Sequence, residues 1–335
     1  MVVPYTHESV RLTGRWAKLP GSAVTTAPGA YIECSFAGDM AVLRFDTTRN
    51  LPVVPHLWIS VDGGCRTEVM LDRYLRIRTA HTALHTALHT AQIIFKSASE
   101  ESARWREPLT GAVRFLGVQA DTPVALKPDT RPIMEIIGDS ITEGVSIDTD
   151  YREGMLPPLE CNALTLAFQN DAAATWAFRT AEALNCRPVI MGYGSVGVTR
   201  GGQGRVPAAP AAYPYCYDGE PLDIPQADLI VINHGANDYA ATPERYAAAY
   251  TELLDAVRAR SPLATVFAVS AFRGTHREAL AELIPEYNRT RGCRVHFVDT
   301  AGWIPPEPLH PHRNGHKTVA DRLAPIIREV IRKGR

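Results

Sequence analysis

At Arg131 the hydrophobic pattern of this 335-residue chain changes period, and that change restricts the fold more than any other feature. Before it, short β-prone runs follow one another closely. Tyr31 to Phe36 and Ala41 to Phe45 read as two strands separated by Ala37-Gly38-Asp39, and Leu57 to Val61 runs into the turn signal Asp62-Gly63-Gly64. Ala91 to Lys96 and Gly111 to Val118 read the same way, with no long amphipathic helix among them, which predicts a β-sandwich. After Arg131, short apolar runs at Ile133 to Ile137, Leu229 to Ile232, Thr265 to Val269 and Val295 to Val298 alternate with helical patterns. Thr242-Pro243-Glu244 supplies an N-cap, an N1 proline and an early acid for a helix over Arg245 to Ala259. In the last helix Ala320, Leu323, Ile327, Val330 and Ile331 recur at helical spacing. Buried strands alternating with helices imply an α/β layered domain on a parallel sheet. The proline-interrupted stretch from Leu126 to Pro132 separates the two patterns and predicts a β-sandwich domain over residues 1–127 and an α/β domain over 132–335.

Charge narrows the partners. Thirty-five Lys+Arg against 36 Asp+Glu leave a net charge of -1, so no global basic field draws the chain to nucleic acid or to an anionic membrane. No apolar run approaches the about 18 residues of a membrane span, and the opening MVVPYTHESVRL lacks the basic and apolar regions of a secretory signal. The expected location is therefore cytoplasmic, or outside the cell if a leader has been removed. Cys34, Cys65, Cys161, Cys186, Cys216 and Cys293 are scattered without a C-x-x-C pair or zinc-like spacing, and free thiols are expected. Nothing in the sequence speaks to oligomeric state.

The tandem repeat His81-Thr82-Ala83-Leu84, His85-Thr86-Ala87-Leu88, His89-Thr90-Ala91 would stack three imidazoles on a helix. No carboxylate or cysteine close in sequence completes a ligand set, so the simpler reading is a small duplication that lengthens a loop or strand. No metal and no cofactor are expected.

Chemistry concentrates after Arg131. In Ile136-Ile137-Gly138-Asp139-Ser140-Ile141-Thr142 a buried strand ends in glycine and a serine follows where the chain turns toward a helix. A hydroxyl there sits beside orphan backbone N–H groups at the carboxyl end of a parallel strand, where ligands of open α/β sheets bind. Taken alone, Gly-Asp-Ser favours the plainer reading, an N-capping serine with Asp139 and Thr142 as turn residues. Near the other end, His310 lies in the proline-stiffened Pro306-Glu307-Pro308-Leu309-His310-Pro311 and can serve a distant serine as general base, its tautomer fixed by a carboxylate. Between them, Asn233-His234-Gly235-Ala236-Asn237-Asp238 follows a strand and offers an amide to an oxyanion.

Together these pieces resemble the SGNH hydrolases, also called GDSL esterases. Gly138-Asp139-Ser140-Ile141-Thr142 is similar to the first block, Gly197 in Tyr193-Gly194-Ser195-Val196-Gly197 to the second, Gly235-Ala236-Asn237-Asp238 to the third, and His310-Pro311 with Gly315-His316 to the fifth. The resemblance implies a flavodoxin-like α/β/α domain, Ser140 as nucleophile, His310 as base, and an oxyanion hole of Ser140 N–H, Gly197 N–H and the Asn237 amide. One departure stands out: where the family has aspartate three residues before the histidine, this chain has Glu307 between two prolines. Glu307 keeps the offset and is the first candidate to orient His310, with Asp299 or a backbone carbonyl as alternatives. In the first half, His89-Thr90, Phe95-Lys96, Glu100 and the run Gly111 to Val118 resemble carbohydrate esterase family 2, which joins a jelly roll to an SGNH domain and deacetylates sugars of plant polysaccharides. The resemblance implies a serine esterase acting on acetylated carbohydrate of the xylan type. An esterase for another acyl group, or a carbohydrate-binding protein with a decayed hydrolase site, are the competing readings. Tyr213, Tyr215 and Tyr217 are rings for sugar stacking or, equally, surface-loop aromatics or an oligomer contact.

Overall fold

A computed structural model of the chain describes residues 2–79, 87–149 and 167–334. Its first part is all β: β1 (Val2–Pro4), β2 (Val10–Thr13), β3 (Ala17–Leu19), β4 (Ser22–Thr25), β5 (Tyr31–Phe45), β6 (His56–Val61), β7 (Thr67–Met70), β8 (Tyr74–Arg78), β9 (Leu88–Ser97) and β10 (Val113–Pro123). All the pairings among them are antiparallel. The two strands expected around Ala37-Gly38-Asp39 are one. Gly38, at φ 109, bends the chain without ending the strand. From Tyr31 to Ala37 β5 pairs with β9, and from Ala41 to Phe45 with β10, so a single long strand serves both layers of a sandwich. Phe36, Leu43, Phe45, Ile93, Phe95 and Phe115 fill the space between the layers.

The second part is the expected parallel sheet. Its strands are β11 (Ile133–Gly138), β12 (Arg187–Gly192), β15 (Leu229–Asn233), β16 (Thr265–Val269) and β17 (Val295–Val298), with a small hairpin of β13 (Tyr215–Tyr217) and β14 (Glu220–Pro221) beside them. The order β12-β11-β15-β16-β17 is the flavodoxin-like one. Around it lie α1 (Ser140–Glu143), α2 (Trp176–Ala183), α3 (Ala209–Ala212), α4 (Pro243–Arg260), α5 (Arg277–Arg291) and α6 (Arg313–Gly334). The β12 run begins Arg187-Pro188 and gives a weak strand signal, and sequence reasoning missed it. Thr242 caps α4 as its spacing predicts, its hydroxyl accepting from Arg245 N–H at 3.3 Å. In α6, Val319, Leu323 and Ile327 are buried against the sheet, each stabilising by about 1.5–3 kcal/mol at most. No helix among the described residues is long and apolar enough to cross a membrane.

The sandwich and the sheet share apolar clusters. Tyr31 and Ile94 pack with Trp176 and Ile190, while Ala17, Val24 and Trp105 pack with Val189 and Met191. Charges are buried there too. Lys96, wholly inaccessible, donates to the carbonyls of Phe168 at 3.0 Å and Asn170 at 2.7 Å and pairs with Glu68 at 3.1 Å. His56, Lys96 and their hydrogen bonds hold the Glu68 carboxyl down at about 2 against the opposing effect of burial. Arg15 pairs with Glu135 of β11 at 3.0 Å and donates to the carbonyls of Tyr213 at 2.6 Å and Tyr215 at 2.7 Å. Tyr213 returns its hydroxyl to the other Glu135 oxygen at 3.0 Å.

These contacts overturn the stacking role for two tyrosines. Tyr213 and Tyr217 are 1% and 4% exposed and belong to the core; only Tyr215, at 38%, presents a ring, and it meets Trp105 edge-on. His89 lies in β9 and bonds Asp62 at 2.7 Å, as a strand extension would place it. His81 and His85 fall outside the described residues, as does Cys161. The other five cysteines are free thiols.

Removing Arg15 leaves the Glu135 charge buried without its cation, so Arg15→Met should lower stability by about 3–5 kcal/mol. Urea unfolding checks this, and an unchanged midpoint at unchanged slope would contradict it.

Candidate active site

The order of the parallel strands reverses at β11, which places the carboxyl ends of β11 and β15 at the switch point where α/β sheets bind ligands. Ser140 leaves β11 there as the first residue of α1. Asp139 caps that helix, its carboxylate accepting from Ile141 N–H at 2.9 Å. Burial pushes the Asp139 carboxyl up to about 7, and the nearby Asp238 and Glu143 charges add to the effect. As the opening residue of a helix, Ser140 has a backbone N–H without an intrahelical acceptor.

Across the site, the loop before α6 carries His310, and its Nε2 lies 2.8 Å from Ser140 Oγ. With Nε2 accepting the serine proton, the ring's own proton sits on Nδ1. Burial alone displaces the His310 pKa, and it does so downward, which keeps the imidazole neutral and basic near pH 7. His316, one turn into α6, is fully buried and accepts from Trp176 N–H at 3.0 Å, tying the histidine loop to α2.

The structure does not bring Glu307 to His310. The Glu307 side chain is 72% exposed and pairs with Arg273 at 2.6 Å, directed away by the proline-flanked loop that carries it. Asp299 is engaged elsewhere as well, by Arg277 at 2.8 and 2.5 Å and by Ala301 N–H at 3.0 Å. The ion pair and hydrogen bonds with Arg277 hold its carboxyl down at about 2. Neither carboxylate faces the imidazole, so the orienting acid expected from the offset is absent from its place.

The three expected oxyanion donors are also not equivalent. Asn237 gives one amide hydrogen to Val196 O at 3.0 Å and keeps the other. Gly197 N–H is already bonded to Arg200 O at 3.0 Å, closing a turn within its own loop. That position is glycine for a steric reason, since a Cβ would lie 2.4 Å from Asp238 Oδ1. Asp238 itself, named only as part of a motif by the sequence, latches the loop. It accepts from Val198 N–H at 3.2 Å, Thr199 N–H at 2.8 Å and the Thr199 hydroxyl at 2.6 Å. The signal for it was present, as the aspartate directly following Asn237.

Other residues at the site had no sequence signal. Arg313 chelates Asp148, with Nη2 to Oδ2 at 2.8 Å, and reaches Asp171 at 2.9 Å. His276 stacks on Tyr246 at 4.4 Å and bonds Asp238 O at 2.8 Å, bracing the loop that carries Asn237. Two cavities of about 460 and 530 Å³ open at the opposite, amino-terminal ends of the strands, lined by residues such as Arg294 and Arg328, and take no part in this arrangement.

A serine and a histidine at hydrogen-bond distance, beside a helix-opening backbone N–H and an amide, form an arrangement that can carry out acyl transfer. The chain is similar in fold to a family two carbohydrate esterase from Cellvibrio japonicus, with 19% identity over 98% of this chain and 97% of that one and a TM-score of 0.79. It is similar to one from Clostridium thermocellum in complex with cellohexaose, with 21% identity over 96% and 99% and a TM-score of 0.75. An acetyl xylan esterase from Butyrivibrio proteoclasticus gives 17% identity over 99% and 98% and a TM-score of 0.79. No curated protein sequence matches. Residues 136–318, more than half the chain and the span from the Ser140 turn to the His310 loop, match the model of the GDSL-like lipase/acylhydrolase family, and the protein is a carboxylic ester hydrolase belonging to that family.

Proposed function

We propose that the protein is a carbohydrate acetyl esterase working through a Ser140–His310 dyad. The observation that carries this reading is the 2.8 Å contact between His310 Nε2 and Ser140 Oγ at the sheet's switch point. Ser140 Oγ attacks the acetyl carbonyl while His310 Nε2 takes its proton. The oxyanion is held by Ser140 N–H and the remaining Asn237 amide hydrogen, and Gly197 N–H joins them only by releasing Arg200 O. Collapse expels the sugar alkoxide, which receives the proton from His310, and leaves acetyl-Ser140. Water, deprotonated by the same histidine, then attacks acetyl-Ser140, and collapse breaks the Ser140 Oγ–acetyl bond, freeing acetate while His310 returns the proton to Oγ. No carboxylate is assigned to Nδ1. Support for a sugar substrate comes from the two-part architecture shared with carbohydrate esterases and from Tyr239, 69% exposed and two residues from Asn237, with Arg200 Nη1 3.5 Å from its hydroxyl. The xylan-type substrate and acetyl group belong to the proposal with the rest.

Ser140→Ala should lower turnover of an aryl acetate and of acetylated xylo-oligosaccharide by about 10⁴-fold or more, and His310→Ala similarly, with little further loss in the double variant because the pair acts as one unit. Wild-type turnover in Ser140→Ala would end this assignment.

Glu307→Gln should cost less than about tenfold, since only an exposed charge paired to Arg273 is removed. A loss of several orders of magnitude in that variant would place Glu307 in the mechanism after all.

The sign of the pH dependence follows from the burial of His310. A base with a lowered pKa stays neutral as pH falls past 6.5, so the acid limb of kcat/KM should lie below 6.5 and shift little in Glu307→Gln. An acid limb above 6.5 in the wild type would point to a carboxylate partner instead.

A further inference from the structure

The segment between β9 and β10 leaves the sandwich and inserts beside the nucleophile. Its Arg104 is wholly buried, and the guanidinium pairs with Glu143 through both terminal nitrogens, the longer contact being 3.4 Å. Arg104 also stands over the Tyr193 ring at 5.3 Å, and its backbone N–H donates to Gly204 O at 3.1 Å. Glu143 is the last residue of the four-residue helix that Ser140 begins. Its second oxygen accepts Gly194 N–H at 2.7 Å, in the loop that continues to Gly197. One carboxylate thus joins the nucleophile turn to the oxyanion loop, and one cation from the other part of the chain holds that carboxylate.

A single helical turn cannot hold itself, because it fixes several residues for very few hydrogen bonds. The position of Ser140 is therefore set by what grips α1 from outside. We infer that Arg104 is a positioning residue for the ester hydrolysis: through Glu143 it fixes Ser140 and the Gly194–Gly197 loop at their working separation, making the sandwich part of the catalytic apparatus. The inference rests on Ser140 being the nucleophile. Glu100, from the same segment, sharpens it. Its carboxyl occupies the space a side chain at position 194 would need, with Oε1 only 1.6 Å from where a Cβ on Gly194 would sit. Burial, then the charge of Glu143, pushes Glu100 up to about 7. Without Arg104 the acids Glu100, Glu143 and Asp139 would face one another with no buried cation between them, and the turn bearing Ser140 would have to move. A shift of about 1 Å at reacting groups costs on the order of 10²-fold in rate.

The test uses the full chain and three variants: Arg104→Met, Arg104→Lys, and Arg104→Met combined with Glu143→Met. In all of them kcat should fall about 10- to 100-fold with KM within about threefold, because positioning acts on the transition state rather than on binding. The double variant separates positioning from folding. Replacing a buried ion pair with apolar side chains of similar size should restore Tm toward the wild-type value, yet kcat should stay low because Gly194 N–H has lost its acceptor. Recovery of kcat together with Tm in the double variant, or full activity in a folded Arg104→Lys, would show a merely structural pair. If Arg104→Met does not accumulate, the other two variants decide. The rate of Ser140 labelling by a fluorophosphonate gives a reading free of any substrate and should fall in parallel with kcat. A wild-type protein that does not label at Ser140 defeats the esterase reading itself, whereas normal labelling in the variants defeats only the role of Arg104.

Discussion

Two arginines with almost no solvent exposure, Arg15 and Arg104, reach from the sandwich into the α/β part, and each must be answered by a carboxylate there. The cost of an unpaired buried guanidinium is severe enough that this requirement governs the way the two parts meet. Glu135 answers Arg15 from within β11, and Glu143 answers Arg104 from the end of the turn that follows the same strand. Both anchors thus fall on either side of Gly138-Asp139-Ser140. The segment that carries Ser140 is clamped at each end by contacts from the β-rich part, and Lys96 adds a third buried contact at residues 167–170.

The candidate site lies where the sheet order makes room for it. A parallel sheet ordered β12-β11-β15-β16-β17 opens a crevice at β11 and β15, and the Ser140 and Asn237 segments leave those two strands. His310 arrives from the last loop and meets Ser140, and among the described residues neither Glu307 nor Asp299 stands behind it. Burial, with no charge partner, lowers the pKa of its imidazole; in the proposed mechanism that suits an ester, whose leaving alkoxide takes a proton readily and asks less of the base than an amide does. Glu307, the acid expected there, instead pairs with Arg273 at the surface.

What the sequence revealed, and what it hid, follows from the range of each interaction. Ser140, Asn237 and the strands that carry them are legible because a buried apolar run ending in Gly-Asp-Ser or Gly-x-Asn-Asp is a local pattern. The parallel sheet and the Thr242 cap are legible for the same reason. Glu307 misled because offset in sequence says nothing about direction in a loop flanked by prolines, and its true partner Arg273 lies on another element. Gly197 matches the motif by spacing, but the turn that binds its N–H to Arg200 O depends on the path of the loop, which spacing does not encode. Tyr213 and Tyr217 looked like surface rings in a Gly- and Pro-rich stretch. Their burial comes from Arg15, distant in sequence, drawing that stretch against the sheet. Arg104 gave no signal, since its partner Glu143 lies across the junction between two patterns that can each be read alone.

The central claim is that hydrolysis passes through an acyl group on Ser140. It is tested most directly by quenching the enzyme during turnover of an acetyl ester and measuring the mass of its peptides. The account predicts one acetyl group on the peptide containing Ser140, gained on mixing and lost as substrate is exhausted. Sustained turnover with no acyl adduct on Ser140, or an adduct on a different residue that forms and decays at the turnover rate, would contradict it.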